Sequence, residues 1–288
     1  MSTSLPHQPT KLPRSVALLN NSFVRIVIAT LILSLSVAIP FILIQHTFDK
    51  SVRQVWPQLL CVGLSIAAYL FYVRKIEKRK ASELSSKGAV REYCIGMAIG
   101  TAIFLMVIGV MWISGVFHIL GVNSWTVLIA PIAEFLLVAC FEEILFRGII
   151  FRIVEKSLGT SKSLLISAAL FPLAHMPNAG FSWLAFAVTA AAGLMFCAAY
   201  MQTRRLWLPI GIHFAWNFMS DAVFSLTTSG NQAKGLLQAQ LTGPTWLSGG
   251  TYGIEASLLS LLVIAILTIY LLRRASTVNP SISTQATS

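Results

Sequence analysis

Apolar residues run through this chain in stretches long enough to cross a bilayer, separated by short polar segments that hold most of the charge. Eight such stretches are predicted, at roughly 23–45, 56–73, 93–115, 125–154, 162–175, 181–202, 206–226 and 256–272. About 18 to 25 apolar residues of helix span a hydrocarbon core of about 30 Å. The strict apolar–polar alternation of barrel strands is not seen. The pattern therefore predicts an all-α fold, a polytopic transmembrane helical bundle of about eight spans. The fifth stretch is short and contains Pro172, so it needs shielding by neighbouring helices, since lipid cannot satisfy backbone groups freed by a kink.

The remaining segments set the organisation. Residues 1–22 and 275–288 are rich in Ser, Thr, Pro and Gln and read as polar, disordered cytoplasmic tails. Spans within 23–115 form an N-terminal group, and 125–226 form a core that holds the chemistry described below. The stretch 227–254 contains six glycines and reads as an irregular external loop before the last span at 256–272. Gly96 and Gly100 form a GxxxG, and Thr189–Gly193 is a run of small residues. Both permit close helix packing. A polar tail precedes the first apolar run, so no cleaved signal peptide is expected.

Composition agrees with the pattern. Of 288 residues, 56% are hydrophobic and 11% charged, with a mean hydropathy of +0.77; soluble domains carry about 25% charged residues. The net charge of +11 would suit nucleic acid if it were clustered on a soluble surface. Instead, eighteen of the twenty-one basic residues fall in the tails and alternate connections on one side, against Lys50, Arg53 and Lys234 on the other. This asymmetry predicts a multi-pass protein of the cell membrane with both termini cytoplasmic, and no nucleic-acid partner. Cys61, Cys94, Cys140 and Cys197 include no CxxC pair and read as small buried hydrophobes.

Several polar residues interrupt the apolar stretches: Glu134, Glu142, Glu143, Asp221, His175 and His213. A charge at a helix centre costs about 2.5–3.5 kcal/mol on insertion scales, so such groups are functional or paired. In Phe141-Glu-Glu-Ile-Leu-Phe-Arg147, Glu143 and Arg147 are i,i+4 neighbours and can pair. Glu142 is turned about 100° away and stays free for general-base work. The plainer alternative is that all three simply lock helices together. His175 closes Phe171-Pro-Leu-Ala-His175. Glu142 lies 17 residues before Gly159 and His175 lies 16 after it. A hairpin turning there brings both to one depth, about 25 Å from the turn. In His213-Phe-Ala-Trp-Asn217 the i,i+4 spacing puts both polar side chains on one face, which Asp221 continues.

These elements, EExxxR, then FxxxH, then HxxxN, resemble the CPBP family of intramembrane proteases. That family includes CAAX prenyl endopeptidases and bacteriocin-processing or immunity proteins, and is also called Abi. The resemblance covers about residues 125–225. It implies peptide-bond hydrolysis in or near the bilayer, on a peptide or protein substrate that is membrane-associated or prenylated. By position, Glu142 and His175 would activate water, His213 and Asn217 would stabilise the oxyanion, and Glu143 and Arg147 would support them. The resemblance leaves two chemistries open: Glu142, His175 and His213 as ligands of a divalent metal such as zinc, or the same residues acting without metal. No HExxH or GxSxG is present. Two further readings remain, a catalytically silent scaffold or immunity protein on the same fold, and a proton- or ion-coupled transporter.

Overall fold

The computed structural model describes residues 21–231 and 234–278. Most of the two expected disordered tails, with Lys11 and Arg14, lies outside the described residues. Each of the eight predicted stretches is helical. The helices are α1 (Ser22–Thr47), α2 (Trp56–Phe71), α3 (Ala89–Ile113), α4 (Ile129–Glu143), α5 (Arg152–Leu158), α6 (Thr160–His175), α7 (Trp183–Thr203), α8 (Trp207–Asn217) and α9 (Leu258–Val278). The last carries the final span beyond residue 275, where a tail was expected. Three helices continue into wider π-wound turns: α2 into Tyr72–Ile76, α4 into Ile144–Phe151 and then α5, and α8 into Phe218–Val223.

Local signals set these limits. The Asn21 side chain accepts from the Phe23 and Val24 amides at the start of α1, and Ser182 Oγ accepts from the Ala185 amide at the start of α7, so each satisfies donors that a helix leaves unpaired. Pro57 opens α2, where its missing N–H costs nothing. The α5–α6 hairpin turns at Gly159, whose φ of 83° suits glycine.

Five helical runs are each long and apolar enough to cross a membrane: 22–47, 56–76, 89–113, 183–203 and 258–276. The α4–α5 run, α6 and α8 do not meet that measure alone, and these three carry the motif residues. Among their polar residues Glu143, Arg147, His213 and Asn217 are buried, which keeps them from lipid. Every residue of α8 from Leu208 to Asn217 is buried, as are Phe171 and Pro172 of α6, which meets the shielding that the proline demanded. The helix α8 lies directly on α3. A Cβ on Gly96 would stand 2.3 Å from the Leu208 carbonyl oxygen, and one on Gly211 2.3 Å from that of Tyr93. The GxxxG therefore works as a packing device, as expected.

The bundle has two unlike ends. One end holds a network of charges. Glu77 pairs with Arg25, with Arg79 at 2.7 Å and with Arg152 at 2.7 Å, and Glu83 pairs with Arg79 at 2.5 Å. Nearby, Arg204 meets Glu155 at 2.5 Å and Arg205 meets Glu92. Burial works to raise the Glu77 and Glu83 carboxyls, but the arginines outweigh it and hold both below the usual carboxylate range. Arg147, counted from sequence with this end, is instead fully buried inside the bundle.

The opposite end departs from expectation. The stretch 227–254 is not simply irregular. Leu237–Leu241 (β2) pairs antiparallel with Phe117–Val122 (β1), with Phe117 opposite Leu241, and short helical turns follow at 245–248, 250–252 and 254–256. The all-α bundle therefore carries one small sheet. Its partners are more than a hundred residues apart, so no local signal joins them, although Leu237-Gln-Ala-Gln-Leu241 does alternate. Cys61, Cys140 and Cys197 are buried as expected, whereas Cys94 is exposed.

Candidate active site

Three helical segments converge on one point. The end of α4 brings Glu142 and Glu143, the π-wound turn after it brings Arg147, α6 ends on His175, and α8 brings His213 and Asn217. π-wound turns inside α-helices recur at functional sites, and here they follow both the paired glutamates and Asn217.

Glu143 is the inner member. Its Oε1 accepts from Arg147 Nη1 at 2.9 Å and meets His213 Nδ1 at 2.9 Å, and its side chain is fully buried. Arg147 Nη2 donates to the Gly193 carbonyl at 2.9 Å. The guanidinium lies over the rings of Phe171 and Phe196, 4.7 and 4.9 Å from their centroids, where cation–π attraction compensates part of its desolvation. The His213 ring stacks on Phe196 at 4.9 Å. The i,i+4 pairing read from sequence is therefore present, with His213 as a partner that the sequence did not reveal.

Glu142 is the outer member. It takes no part in the Arg147 pair, and its side chain is 21% exposed. Its Oε2 has no hydrogen-bond partner. That oxygen stands 3.9 Å from His175 Nε2 and 3.9 Å from His213 Nε2. The depth match inferred from the α5–α6 hairpin is thus realised. Both gaps are too long for a direct hydrogen bond and of the size that one bridging water fills.

Tautomers follow from the partners. His175 Nδ1 is 2.8 Å from the Phe171 carbonyl oxygen, which only accepts, so Nδ1 carries the proton and Nε2 of the neutral ring presents a lone pair. His213 Nδ1 faces the Glu143 carboxylate, so it too carries a proton, and Nε2 donates only when the ring is an imidazolium. Among the described residues Asn217 makes no side-chain hydrogen bond, although it is 8% exposed.

A cavity of about 650 Å³ opens onto this cluster and is lined by Glu142, His175, His213 and Asn217. Its wall also includes Glu134, Asp221, Asn178 and Glu255. The first two were visible as acids within spans but had no assigned place. Glu255 was not legible, since it reaches the cavity from the loop before α9. There it accepts from Trp216 Nε1 at 3.1 Å, the Ser229 amide at 2.7 Å and Ser229 Oγ at 2.6 Å.

The helices and site define a polytopic membrane protein with an open carboxylate–imidazole cluster above a buried Glu–Arg–His network. Residues 123–219 match the family model described as type II CAAX prenyl endopeptidase Rce1-like. The segment that carries the three motifs is thus similar to the CPBP family of CAAX proteases. No curated protein and no solved structure matches the chain.

Proposed function

We propose that this chain is an intramembrane endopeptidase that hydrolyses a peptide bond with a water held between Glu142 and His175. One observation carries the reading: the unpartnered Glu142 Oε2 stands 3.9 Å from two imidazole Nε2 atoms in the lining of a cavity. The water donates to the Glu142 carboxylate and to the lone pair on His175 Nε2. As its oxygen attacks the scissile carbonyl, a proton moves to this pair and later passes to the leaving amine. Asn217 Nδ2 donates to the oxyanion. His213 Nε2 adds a second donor when the ring is an imidazolium, with Nδ1 held by the Glu143 carboxylate. Glu143 and Arg147 act by holding His213 and need not touch substrate.

A second reading keeps Glu142, His175 and His213 as ligands of a divalent metal such as zinc, which would supply a metal-activated water. The donor types suit it. The spacing suits it less: both donor pairs are 3.9 Å apart, against roughly 3.3 Å along the edge of a zinc tetrahedron. No group of three His, Cys, Asp or Glu able to hold a metal is found among the described residues. The 3.9 Å spacing favours the metal-free reading.

The test is cleavage of a mixed peptide pool by detergent-purified protein, followed by mass spectrometry, beside Glu142→Gln, with elemental analysis of the same preparation. Turnover by the wild type alone, with far less than one metal per chain, is expected. One zinc per chain, with activity lost on its removal, supports the metal reading. No turnover from folded protein supports a silent scaffold.

A further inference from the structure

Glu255 is a carboxylate that none of the three motifs contains. It lies outside the matched residues 123–219, in the short helical turn Ile254–Ala256 before α9. It nonetheless reaches the wall of the reacting cavity, and its two oxygens face different elements. Oε1 accepts from Trp216 Nε1 on α8 at 3.1 Å, while Oε2 accepts from the Ser229 amide at 2.7 Å and Ser229 Oγ at 2.6 Å. All three partners are donors, so both oxygens must accept. A glutamine of the same shape would turn its NH₂ group against the indole N–H or against Ser229, whichever way the amide lies.

One end of the Trp216–Glu255 bond is firmly seated. Ile254 and Ala256, on either side of Glu255, are buried. The Ile254 carbonyl accepts from Ser260 Oγ at 2.7 Å and from the Ser257 amide at 3.1 Å. A Cβ on Gly253 would stand 1.8 Å from the Thr227 carbonyl oxygen, and the Gly230 amide donates to the Tyr252 carbonyl at 2.9 Å, so this turn and the loop that holds Ser229 are packed backbone to backbone. The other end is the residue beside Asn217. The Trp216 ring is buried and meets Phe104 edge-on, with centroids 5.5 Å apart. Asn217 makes no side-chain hydrogen bond of its own, and directly after it, at Phe218, the helix changes from α to π winding. Its aim therefore depends on how the last turn of α8 is held.

We propose that Glu255 is a positioning residue for the oxyanion donor: by holding the Trp216 indole it fixes the last turn of α8 and, with it, the direction of Asn217 Nδ2. The role of Asn217 rests on the peptidase reading above, whereas the bond between Glu255 and Trp216 does not. Glu255 acts through Trp216 and need not touch substrate.

A kinetic cycle on the full chain tests it, with kcat and KM measured in detergent on one cleaved peptide for wild type, Glu255→Gln, Asn217→Ala and the double variant. Trp216→Phe is run through the same cycle. It keeps a ring and removes the N–H, so it breaks the tie from the other side even if Glu255→Gln fails to fold. Misplacing a catalytic group by about 1 Å can cost about 10²-fold, so each tie variant should lower kcat by about 10- to 10²-fold. KM should change little, because the oxyanion forms only on the way to the transition state. In the Asn217→Ala background the same changes should cost less than about threefold, since the group they aim is gone. Losses that multiply, a rise in KM in place of the fall in kcat, or an unaltered kcat in either folded variant overturns the proposal. The tie is also read without turnover. In protein carrying isotope-labelled tryptophan, the Trp216 indole N–H resonance, assigned by its loss in Trp216→Phe, should move on Glu255→Gln; an unmoved resonance overturns the proposal as well. Absent cleavage by folded wild type counts against the peptidase reading, while the resonance still decides the tie.

Discussion

Replacing Glu143 by glutamine tests whether it supports the site rather than reacts, and the size of the effect follows from the contacts. Glu143 is fully buried and its Oε1 serves both Arg147 and His213. The glutamine side chain would keep the shape but not the charge, leaving the fully buried Arg147 guanidinium with the Gly193 carbonyl and two phenylalanine faces. Removing one partner of a buried ion pair costs about 3–5 kcal/mol, whereas replacing both by apolar groups of similar volume is often neutral or stabilising. At roughly 2 °C per kcal/mol for a chain of this size, the midpoint of a thermal scan in detergent should fall by about 5–10 °C. The double change Glu143→Leu with Arg147→Met should recover most of that loss. Glu142→Gln should leave the midpoint within about 2 °C, because Oε2 has no partner to lose. A Glu143→Gln midpoint equal to wild type, or a double variant no better than the single one, would refute the assignment of Glu143 as the charge that holds Arg147.

Asn217→Ala should lower kcat by about 10²–10³ with little change in KM, as loss of an oxyanion donor does; an equal rise in KM would make Asn217 a binding group instead. Glu77→Gln should destabilise at neutral pH by about 3 kcal/mol, since it leaves Arg152 without its closest carboxylate. The Glu77 carboxyl is depressed in the folded protein, so its contribution is full above about pH 4 and lost as pH falls further, and the gap between variant and wild type in thermal scans should narrow only there. Gly211→Ala would put a methyl group 2.3 Å from the Tyr93 carbonyl oxygen and should cost about 1–3 kcal/mol by forcing α3 from α8; an unchanged thermal midpoint would contradict the close crossing.

Helix periodicity and hydropathy make most of this fold legible in the sequence. Each of the eight apolar stretches is helical, and the Glu143–Arg147 pair, the turn at Gly159 and the common depth of Glu142 and His175 all follow from residue spacing. Arg147 was misassigned because an arginine near the end of an apolar run looks like a membrane-boundary charge; only the fold reveals the carboxylate, carbonyl and rings that enclose it. The His213–Glu143 contact and the β1–β2 pairing were hidden for a simpler reason. Each joins residues far apart in the chain, and a single sequence carries no record of such approaches. The same holds for Glu255, which enters the cavity from a glycine-rich loop whose course periodicity cannot give.

The central claim is that Glu142 and His175 act together on one water. A kinetic cycle tests it most directly: kcat/KM for wild type, Glu142→Gln, His175→Ala and the double variant, measured in detergent on one cleaved peptide. Residues that act as a unit lose their effect together. Each single change should cost about 10³-fold or more, and the double no more than about tenfold beyond the worse single. Losses that multiply, or a Glu142→Gln enzyme within about tenfold of wild type, would contradict the account.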